Sequence, residues 1–211
     1  MTKSDYMARA LFLAERGRGR TSPNPLVGAV IVSPEGVVVG SGFHERAGEA
    51  HAEVRAIESA GAAAAGGTLY CTLEPCCHVG RTGPCVVRIV GAGIQRVVAA
   101  VEDPNPLVRG RGFAYLREHG VDVEVGLGGD VARHLNDAFF TRVTAQRPFV
   151  TAKVALSLDG YLAATPGQPT ALTSAAANRH AHRFRAEVDA IAVGSGTILA
   201  DDPQLTARGA Y

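Results

Sequence analysis

The sequence predicts an α/β sandwich, in which one sheet carries helices on both faces. Two apolar runs of β-forming residues come first, and helical and strand-like segments then alternate with short links between them. Such alternation is typical of a sheet covered on both sides by helices. The chain has 211 residues, of which 46% are hydrophobic, so it can fill a substantial core.

The elements of the first half follow from apolar spacing and from turn residues. A helix is expected from Ser4 to about Arg18, because apolar residues recur there at helical spacing, with Ser4 or Asp5 as its cap. The stretch TSPNP is a loop, since its two prolines forbid regular structure. The next predicted elements are strands at 27–32 and 37–43 joined by a turn, a helix that begins at HAE and ends at Gly61, and a strand at 68–73.

The later elements continue the alternation. The predicted order is a helix at 85–93, a strand at 96–101, a helix at 112–120, a strand at 121–126 and a helix at 131–144. A second unit is expected to begin near Pro148, with a strand-like stretch at 148–164, a helix at 174–188 and a strand at 190–194. We therefore predict two domains, residues 1–147 and residues 148–211.

Charge and hydropathy exclude several classes of function. The net charge is +1, and no basic stripe of the kind that nucleic-acid binding requires is found. No run approaches the roughly 18 apolar residues of a membrane span, and the N-terminal apolar stretch is too short for a signal peptide. We therefore expect a cytoplasmic protein that binds neither nucleic acid nor membrane.

The stretch TLEPCCHVGRTGPC places three cysteines and one histidine in a short polar segment. Such cysteines bind a metal, form a disulfide, or are incidental core thiols. In a cytoplasmic chain metal binding or catalysis is favoured over a disulfide. Cys71, within the preceding strand, is expected to be a small buried hydrophobic residue, and Cys77 a thiol that binds nothing.

Cys76 and Cys85 each lie between a predicted strand end and a predicted helix start, which is where open α/β sheets place their sites. His51 and Glu53 open another helix, and both can approach one point from its first turn. Histidine and two thiolates supply three zinc ligands and leave a fourth position for water. A glutamate that does not bind the metal can then move protons, as in the H-x-E and P-C-x-x-C pattern of zinc nucleobase deaminases. The two cysteines here are nine positions apart rather than three.

Four stretches, TSPNPLVGAVIV, GSGFHERAGEAHAE, TLEPCCHVGRTGPC and VEDPNP, together resemble the deaminase domain of the bifunctional riboflavin-biosynthesis deaminase/reductase family. In that family the longer cysteine spacing is the norm. The stretches TAKVALSLDGYLA and VGSGTILADDPQLTAR resemble the start of its reductase domain. The resemblance implies a cytidine-deaminase-like three-layer α/β/α sandwich, followed by the beginning of a dihydrofolate-reductase-like α/β domain.

By position, the resemblance implies zinc ligands at His51, Cys76 and Cys85 and a proton shuttle at Glu53. The positions that line the pyrimidine and ribose phosphate of the substrate are Asn24, His44, His78, Arg81, Asp103 and Asn105. In the second domain, the substrate positions are Arg185 and Arg208, and the NADPH positions are Thr197, Asp201 and Leu205.

The implied reaction removes the ring amine of a diaminopyrimidinone ribosyl phosphate and releases ammonia. The family's second step reduces the ribosyl group with NADPH. Because the reductase domain of the family continues well past the last residue here, we expect this chain alone not to reduce the ribose. The expected partners are a small phosphorylated pyrimidine and, since relatives assemble, further copies of the chain.

Two other functions remain open at this point. One is a zinc deaminase for another base, such as cytidine, guanine or a tRNA adenosine, although near-neutral charge disfavours tRNA and the cysteine spacing disfavours the others. The other is a non-enzymatic module stabilised by zinc, in which Cys77 or His78 would supply a fourth ligand.

Overall fold

The computed structural model of the protein describes residues 1–78, 83–165, 167–168 and 170–208. The chain forms two compact units, Met1–Phe149 and Val150–Tyr211. The helices of the first unit are α1 (Lys3–Glu15), α2 (Ala52–Ala60), α3 (Cys85–Gly91), α4 (Arg111–Glu118), α5 (Gly129–Leu135) and α6 (Asp137–Ala145). Its strands are β1 (Gly28–Val32), β2 (Val38–Phe43), β3 (Thr68–Cys71), β4 (Arg96–Ala99) and β5 (Asp122–Val125).

The five strands form one mixed sheet in the order β2-β1-β3-β4-β5. β1 pairs antiparallel with β2 and β3, whereas β3, β4 and β5 run parallel to one another. β1 is buried along its whole length, and the centre of the core includes Ile31, Leu69, Val97 and Val98, each fully buried. This arrangement confirms the predicted α/β class, and the five strands occur along the chain in the segments where they were predicted.

Helices cover both faces of the sheet, as the positions of Gly28 and Gly42 in paired strands show. A Cβ on Gly28 of β1 would lie 2.0 Å from the carbonyl oxygen of Ala10 in α1, and a Cβ on Gly42 of β2 would lie 2.8 Å from that of Ala52 in α2. Gly42 pairs with Ala29, the neighbour of Gly28, and successive strand residues point to opposite faces. α1 and α2 therefore pack on opposite faces, and each approaches the sheet at a residue without a side chain.

The N-terminus of α1 differs slightly from the prediction. Thr2 caps the helix, because its hydroxyl accepts a hydrogen bond from the Asp5 backbone N–H at 3.3 Å. The Asp5 carboxylate in turn accepts from the Thr2 backbone N–H at 2.7 Å. The prediction that Ser4 or Asp5 is the cap was wrong, because the reciprocal bonds between Thr2 and Asp5 satisfy two donors and make Thr2 the cap.

Asn136 divides the segment 131–144 that was predicted as a single helix. It lies between α5 and α6, with φ at −114° and ψ at 23°. Its buried side chain accepts from the Leu26 backbone N–H at 2.7 Å and donates to the Leu26 carbonyl oxygen at 2.9 Å. The side-chain amide thus makes the two hydrogen bonds that a neighbouring strand would otherwise make with the backbone of Leu26. These bonds fix α6 against the segment before β1.

The second unit contains two helices among its described residues, α7 (Ala175–Glu187) and α8 (Ser195–Asp201). α7 confirms the predicted helix, and Ser174 caps it by accepting from the Ala177 backbone N–H at 3.2 Å. None of the helices in the described part of the chain has the length and apolar character that crossing a membrane requires.

The strands predicted at 148–164 and 190–194 were wrong, because neither stretch forms a strand in the structure. A strand exists only where a neighbouring segment completes its ladder of hydrogen bonds, and these stretches make no such ladder with described residues. None of the described residues of this unit is buried. The apolar pattern of these stretches is typical of a strand. The local sequence does not show, however, whether a neighbouring strand is present to pair with it.

Candidate metal centre and active site

One edge of the sheet in the first unit gathers the loops that carry the predicted site residues. The parallel strands β3 and β4 both end at this edge, and antiparallel β1 begins there. Thr72, directly after β3, accepts a hydrogen bond from the Gly28 backbone N–H at 3.1 Å and joins the two ends. The residues just beyond these strands include Asn24, Cys76 and Asp103, as predicted for a crevice at the carboxyl edge of the sheet.

His51, Cys76 and Cys85 form a compact cluster of donor atoms, all within 4.8 Å of one another. The Nδ1 atom of His51 lies 3.2 Å from Cys85 Sγ and 3.5 Å from Cys76 Sγ. The Cys85 backbone N–H donates to Cys76 Sγ at 3.3 Å. His51 is the residue before α2 and Cys85 is the first residue of α3, so two helix starts position the cluster.

The electrostatics of the cluster favour a thiolate at Cys76. Hydrogen bonds from Cys85 and from His51 lower the pKa of the Cys76 thiol. The same hydrogen bond with Cys76 raises the pKa of His51. The pKa of Cys85 is raised by its hydrogen bond with Cys76 and by burial. The three donor groups thus share protons around a negatively charged sulfur. A metal cation that binds there can displace those protons.

This donor set fits a zinc ion in an open site. Zinc binds imidazole nitrogen and thiolate sulfur, and three protein ligands leave a fourth position free for water or substrate. Within the described residues the cluster contains neither Cys77 nor His78, and Cys77 Sγ instead lies 3.8 Å from the Leu107 carbonyl oxygen. All four cysteines, each in the described part of the chain, are free thiols. A disulfide and a four-ligand structural site are therefore both disfavoured.

Glu53 lies in the first turn of α2, two residues after His51, and only 3% of its surface is exposed. Burial raises the pKa of its carboxyl group to about 7. Its Oε2 atom is buried and has no hydrogen-bond partner among the described residues. A buried carboxyl oxygen without a protein partner is expected where water or a ligand completes the site.

Asn24 and His44 form one hydrogen-bonded pair beside the cluster. Asn24 Nδ2 lies 3.1 Å from His44 Nε2, and His44 Nδ1 lies 3.2 Å from the Ala50 carbonyl oxygen. A neutral imidazole satisfies both contacts when Nδ1 donates to Ala50 and Nε2 accepts from Asn24. Burial lowers the pKa of His44, which favours this neutral form. The rings of His44 and His51 meet edge to face at 5.4 Å.

Asp103 and Asn105 lie in the turn that follows β4. Asp103 Oδ1 accepts from the Asn105 backbone N–H at 2.8 Å, and Asn105 Oδ1 accepts from the Leu107 backbone N–H at 3.1 Å. Burial raises the pKa of Asp103 to about 6. Glu74 holds this turn in place, because its carboxylate accepts from the Asp103 backbone N–H at 3.2 Å.

A cavity of about 210 Å³ brings these groups together in the first unit. The predicted site residues that line it are Asn24, His44, His51, Glu53, Cys76, His78, Asp103 and Asn105. Cys85 completes the donor cluster, and Arg81 lies outside the described residues. The sequence prediction therefore identified side chains that the fold collects at one place.

Glu74, Phe139 and Arg142 are among the residues of the cavity wall that were not predicted. Glu74 lies within the cysteine-rich stretch itself, where an acidic residue so close to a buried strand is a signal of a specific buried partner. Phe139 and Arg142 belong to α6, far along the chain, and no local pattern connects that helix with the site.

The site residues predicted in the second unit are at or near its surface. Thr197 and Asp201 are exposed on α8, and Leu205 is half-buried. Arg185 Nη1 donates to the Thr206 carbonyl oxygen at 3.4 Å. None of the described residues of this unit is buried, so these side chains lie at or near its surface.

Comparison with known families explains why these motifs occur together. Residues 1–101 match the sequence model of the cytidine and deoxycytidylate deaminase zinc-binding region, and residues 148–211 match that of the RibD C-terminal domain. The two matches together are those of a RibD-type deaminase/reductase sequence. The first match confirms the expected cytidine-deaminase-like fold and a zinc-binding deaminase domain, and the second supports a reductase-type beginning after residue 147.

RibD relatives align with nearly all of the chain. The riboflavin biosynthesis protein RibD of Aquifex aeolicus is 50% identical over 204 residues, which cover 97% of this chain and 57% of that protein. The structure of RibD from Acinetobacter baumannii matches with a TM-score of 0.91 at 44% identity and covers 96% of this chain and 56% of its own.

A third relative carries its two activities in its name. It is a diaminohydroxyphosphoribosylaminopyrimidine deaminase/5-amino-6-(5-phosphoribosylamino)uracil reductase from Thermotoga maritima, with a TM-score of 0.92 and 43% identity. The match covers 97% of this chain and 59% of that structure. The chain thus spans a little over half the length of these RibD relatives.

Proposed function

We propose that residues 1–147 form a deaminase domain acting in riboflavin biosynthesis. It converts 2,5-diamino-6-(5-phosphoribosylamino)pyrimidin-4-one and water into 5-amino-6-(5-phosphoribosylamino)uracil and ammonia. The observation that carries the proposal is the cluster of His51, Cys76 and Cys85 in the same site as the buried carboxyl group of Glu53. The names of the RibD relatives support the substrate.

The His51, Cys76 and Cys85 side chains hold the zinc in this proposal. Zinc in an open site with three protein ligands acts as a Lewis acid and lowers the pKa of water to about 7, which supplies a nucleophile at neutral pH. The position of His51 before α2 and of Cys85 at the start of α3 keeps both ligands on rigid elements.

Glu53 moves the protons. The water oxygen adds to C2 of the pyrimidine, the ring carbon whose amine is lost. As it does so, the Glu53 carboxylate takes a proton from the water. The protonated carboxyl group then gives that proton to the departing nitrogen, so that one water is consumed and one ammonia leaves. Burial raises the pKa of Glu53 to about 7, and a pKa near the working pH suits a group that both takes and returns a proton.

The surrounding polar groups orient the pyrimidine. Because Asn24 Nδ2 contacts His44, the Oδ1 atom of Asn24 is available as an acceptor for a base N–H. Asp103, Asn105 and His78 line the same cavity and offer further partners for the base and the ribose. Arg81, which lies outside the described residues, is proposed to contact the phosphate.

We assign residues 148–211 to the reductase domain of the family, which uses NADPH. Arg185 and Arg208 are proposed substrate contacts, and Thr197, Asp201 and Leu205 proposed cofactor contacts. Since none of the described residues of this unit is buried, no reduction step is assigned to them.

The test is ammonia release from the diaminopyrimidinone ribosyl phosphate by the zinc-loaded chain. Glu53→Gln should lower kcat by a factor of about 100 or more while zinc content is unchanged, because the proton shuttle is lost and the ligands remain. Glu58→Gln is the matched control, since Glu58 is an exposed residue of the same helix that pairs with Arg88 at 3.6 Å.

Full activity in the Glu53→Gln variant would overturn the assigned role of that residue. Faster ammonia release from cytidine or guanine than from the phosphorylated pyrimidine would move the function to another deaminase. Zinc binding without release from any of these substrates would favour a non-enzymatic module.

A further inference from the structure

We propose that Arg142 of α6 binds the phosphate group of the substrate and makes the site selective for phosphorylated pyrimidines. The inference rests on the proposed function, because it specifies which end of that substrate α6 recognises. It adds a specificity residue from a helix beyond residues 1–101, the part of the chain that matches the deaminase zinc-binding region.

α6 forms part of the cavity wall through Phe139 and Arg142. The cavity is buried at its catalytic end, where Glu53 is 3% exposed, whereas Arg142 is solvent-exposed. A pyrimidine ring has to reach the buried end for its amine to react. Its phosphate, the most strongly hydrated group of the substrate, is then best placed toward solvent, where Arg142 lies.

Charge in the cavity also favours a cation for this substrate, in addition to the contact proposed for Arg81. The described lining residues include three carboxyl groups, those of Glu53, Glu74 and Asp103, and Arg142 is the only lysine or arginine among these described lining residues. A phosphate entering such a cavity is repelled unless a fixed positive charge balances it. A guanidinium group is well suited to phosphate, because it presents several N–H donors in one plane.

Two contacts hold Arg142 at the wall. Its Nη2 atom donates to the Pro23 carbonyl oxygen at 3.0 Å, and its guanidinium carbon lies 6.0 Å from the centre of the Phe139 ring. A guanidinium has five N–H donors, so one bond to Pro23 leaves others for an anion. Pro23 directly precedes Asn24, and the cation is therefore tied to the loop that also contacts His44.

The helix itself is fixed by Asn136. The side chain of Asn136 is 3% exposed and bonds to both the N–H and the carbonyl oxygen of Leu26, at 2.7 and 2.9 Å. Because Asn136 immediately precedes α6, this double contact sets the position of the helix relative to the start of β1. Arg142 lies further along the same helix, so its approach to the cavity is built into the fold rather than left to a mobile loop.

The decisive experiment compares the phosphorylated pyrimidine with its dephosphorylated ribosyl counterpart in the zinc-loaded full chain. Arg142→Gln should raise KM for the phosphorylated compound by about ten- to a hundredfold, while KM for the dephosphorylated compound and both kcat values change little. Arg142→Lys should restore part of the loss, because it returns the charge without the planar donors.

Arg133→Gln is the matched control. Arg133 is an exposed residue of α5 whose guanidinium carbon lies 5.0 Å from the Phe140 ring, and it is not among the residues that line this cavity. The Arg133→Gln substitution also removes one arginine that is stacked on a phenylalanine, but it does so outside the cavity. An unchanged ratio of the two KM values in Arg142→Gln, or the same change in Arg133→Gln, would overturn the proposal.

Binding of ribose 5-phosphate, measured by calorimetry, separates this inference from the proposed function. If the chain deaminates neither compound, the proposed function fails, but weaker ribose 5-phosphate binding in Arg142→Gln than in Arg133→Gln still supports the phosphate site. If the chain deaminates the phosphorylated compound and Arg142→Gln binds ribose 5-phosphate as tightly as the unmodified chain, the function stands and the role of Arg142 is refuted.

Discussion

Glu74 offers the sharpest test of how the site is held together. Its carboxylate accepts four backbone hydrogen bonds, with Oε1 bonding to Gly112 at 2.9 Å and Phe113 at 3.4 Å. Oε2 bonds to Gly110 at 3.0 Å and Asp103 at 3.2 Å. The change Glu74→Gln keeps the size of the side chain but replaces one acceptor oxygen with an NH₂ group that only donates. Whichever way the amide is turned, two backbone N–H groups lose their acceptor.

The cost follows from those two donors. A buried N–H group left without an acceptor costs about 1–3 kcal/mol, so two of them cost about 2–6 kcal/mol. Burial raises the pKa of Glu74, which means that the charged form is itself penalised, and the neutral amide recovers part of the loss. We therefore expect Glu74→Gln to lower the free energy of unfolding by about 2–4 kcal/mol.

Urea unfolding gives the total change, and amide hydrogen exchange gives its location. Exchange should accelerate at Asp103, Gly110 and Gly112 more than in β1 or β3. Glu102→Gln is the control, because Glu102 forms an exposed ion pair with Arg109 at 2.9 Å, and such pairs contribute only about 0.2–1 kcal/mol. A loss below about 0.5 kcal/mol for Glu74→Gln, with unchanged exchange, would refute the assignment of Glu74 as the anchor of this turn.

Two further predictions concern the donor cluster and the helix packing. Cys85→Ser should lose most of the bound zinc, measured by atomic absorption, because serine does not supply a thiolate, whereas Cys71→Ser should retain it; equal zinc content in both would contradict the ligand assignment. Gly28→Ala should destabilise the chain by about 3 kcal/mol in thermal unfolding, since its Cβ would lie 2.0 Å from the Ala10 carbonyl oxygen. Gly91→Ala, with open space around its Cβ, should be neutral or stabilising by up to about 1 kcal/mol, and similar losses for both glycines would be inconsistent with this packing.

Much of the first unit could be predicted from the sequence because its signals are local. The strands are short apolar runs bounded by glycine, proline and polar residues, and each of the five predicted strands forms. The break at Asn136 could not be predicted, because the partner that stops the helix is Leu26, which lies 110 residues away along the chain. The strands of the second unit failed for a related reason, since an alternating pattern does not reveal whether a neighbouring strand is present.

The site residues also separate into those with a local sequence signal and those that depend on distant contacts. His51, Glu53 and Cys76 belong to short motifs whose chemistry is legible without a structure, and the fold brings them together. Asn136 and Arg142 carry no such motif, because they act through contacts with the segment that precedes β1. Side chains that belong to short motifs are thus easier to find in sequence than those that act through contacts with a distant part of the chain.

The segment after β3 shows how closely these two roles are joined. Thr72 bonds to the start of β1, Glu74 holds the turn that carries Asp103, and Cys76 meets Cys85 at the start of α3. Alternate side chains of one short segment therefore fix three separate parts of the site. Because Glu74 contacts no ligand atom of the cluster, the Glu74→Gln substitution should raise KM for the pyrimidine while leaving zinc content unchanged. Loss of zinc in Glu74→Gln would instead mean that the turn after β4 and the metal cluster are held as one cooperative unit.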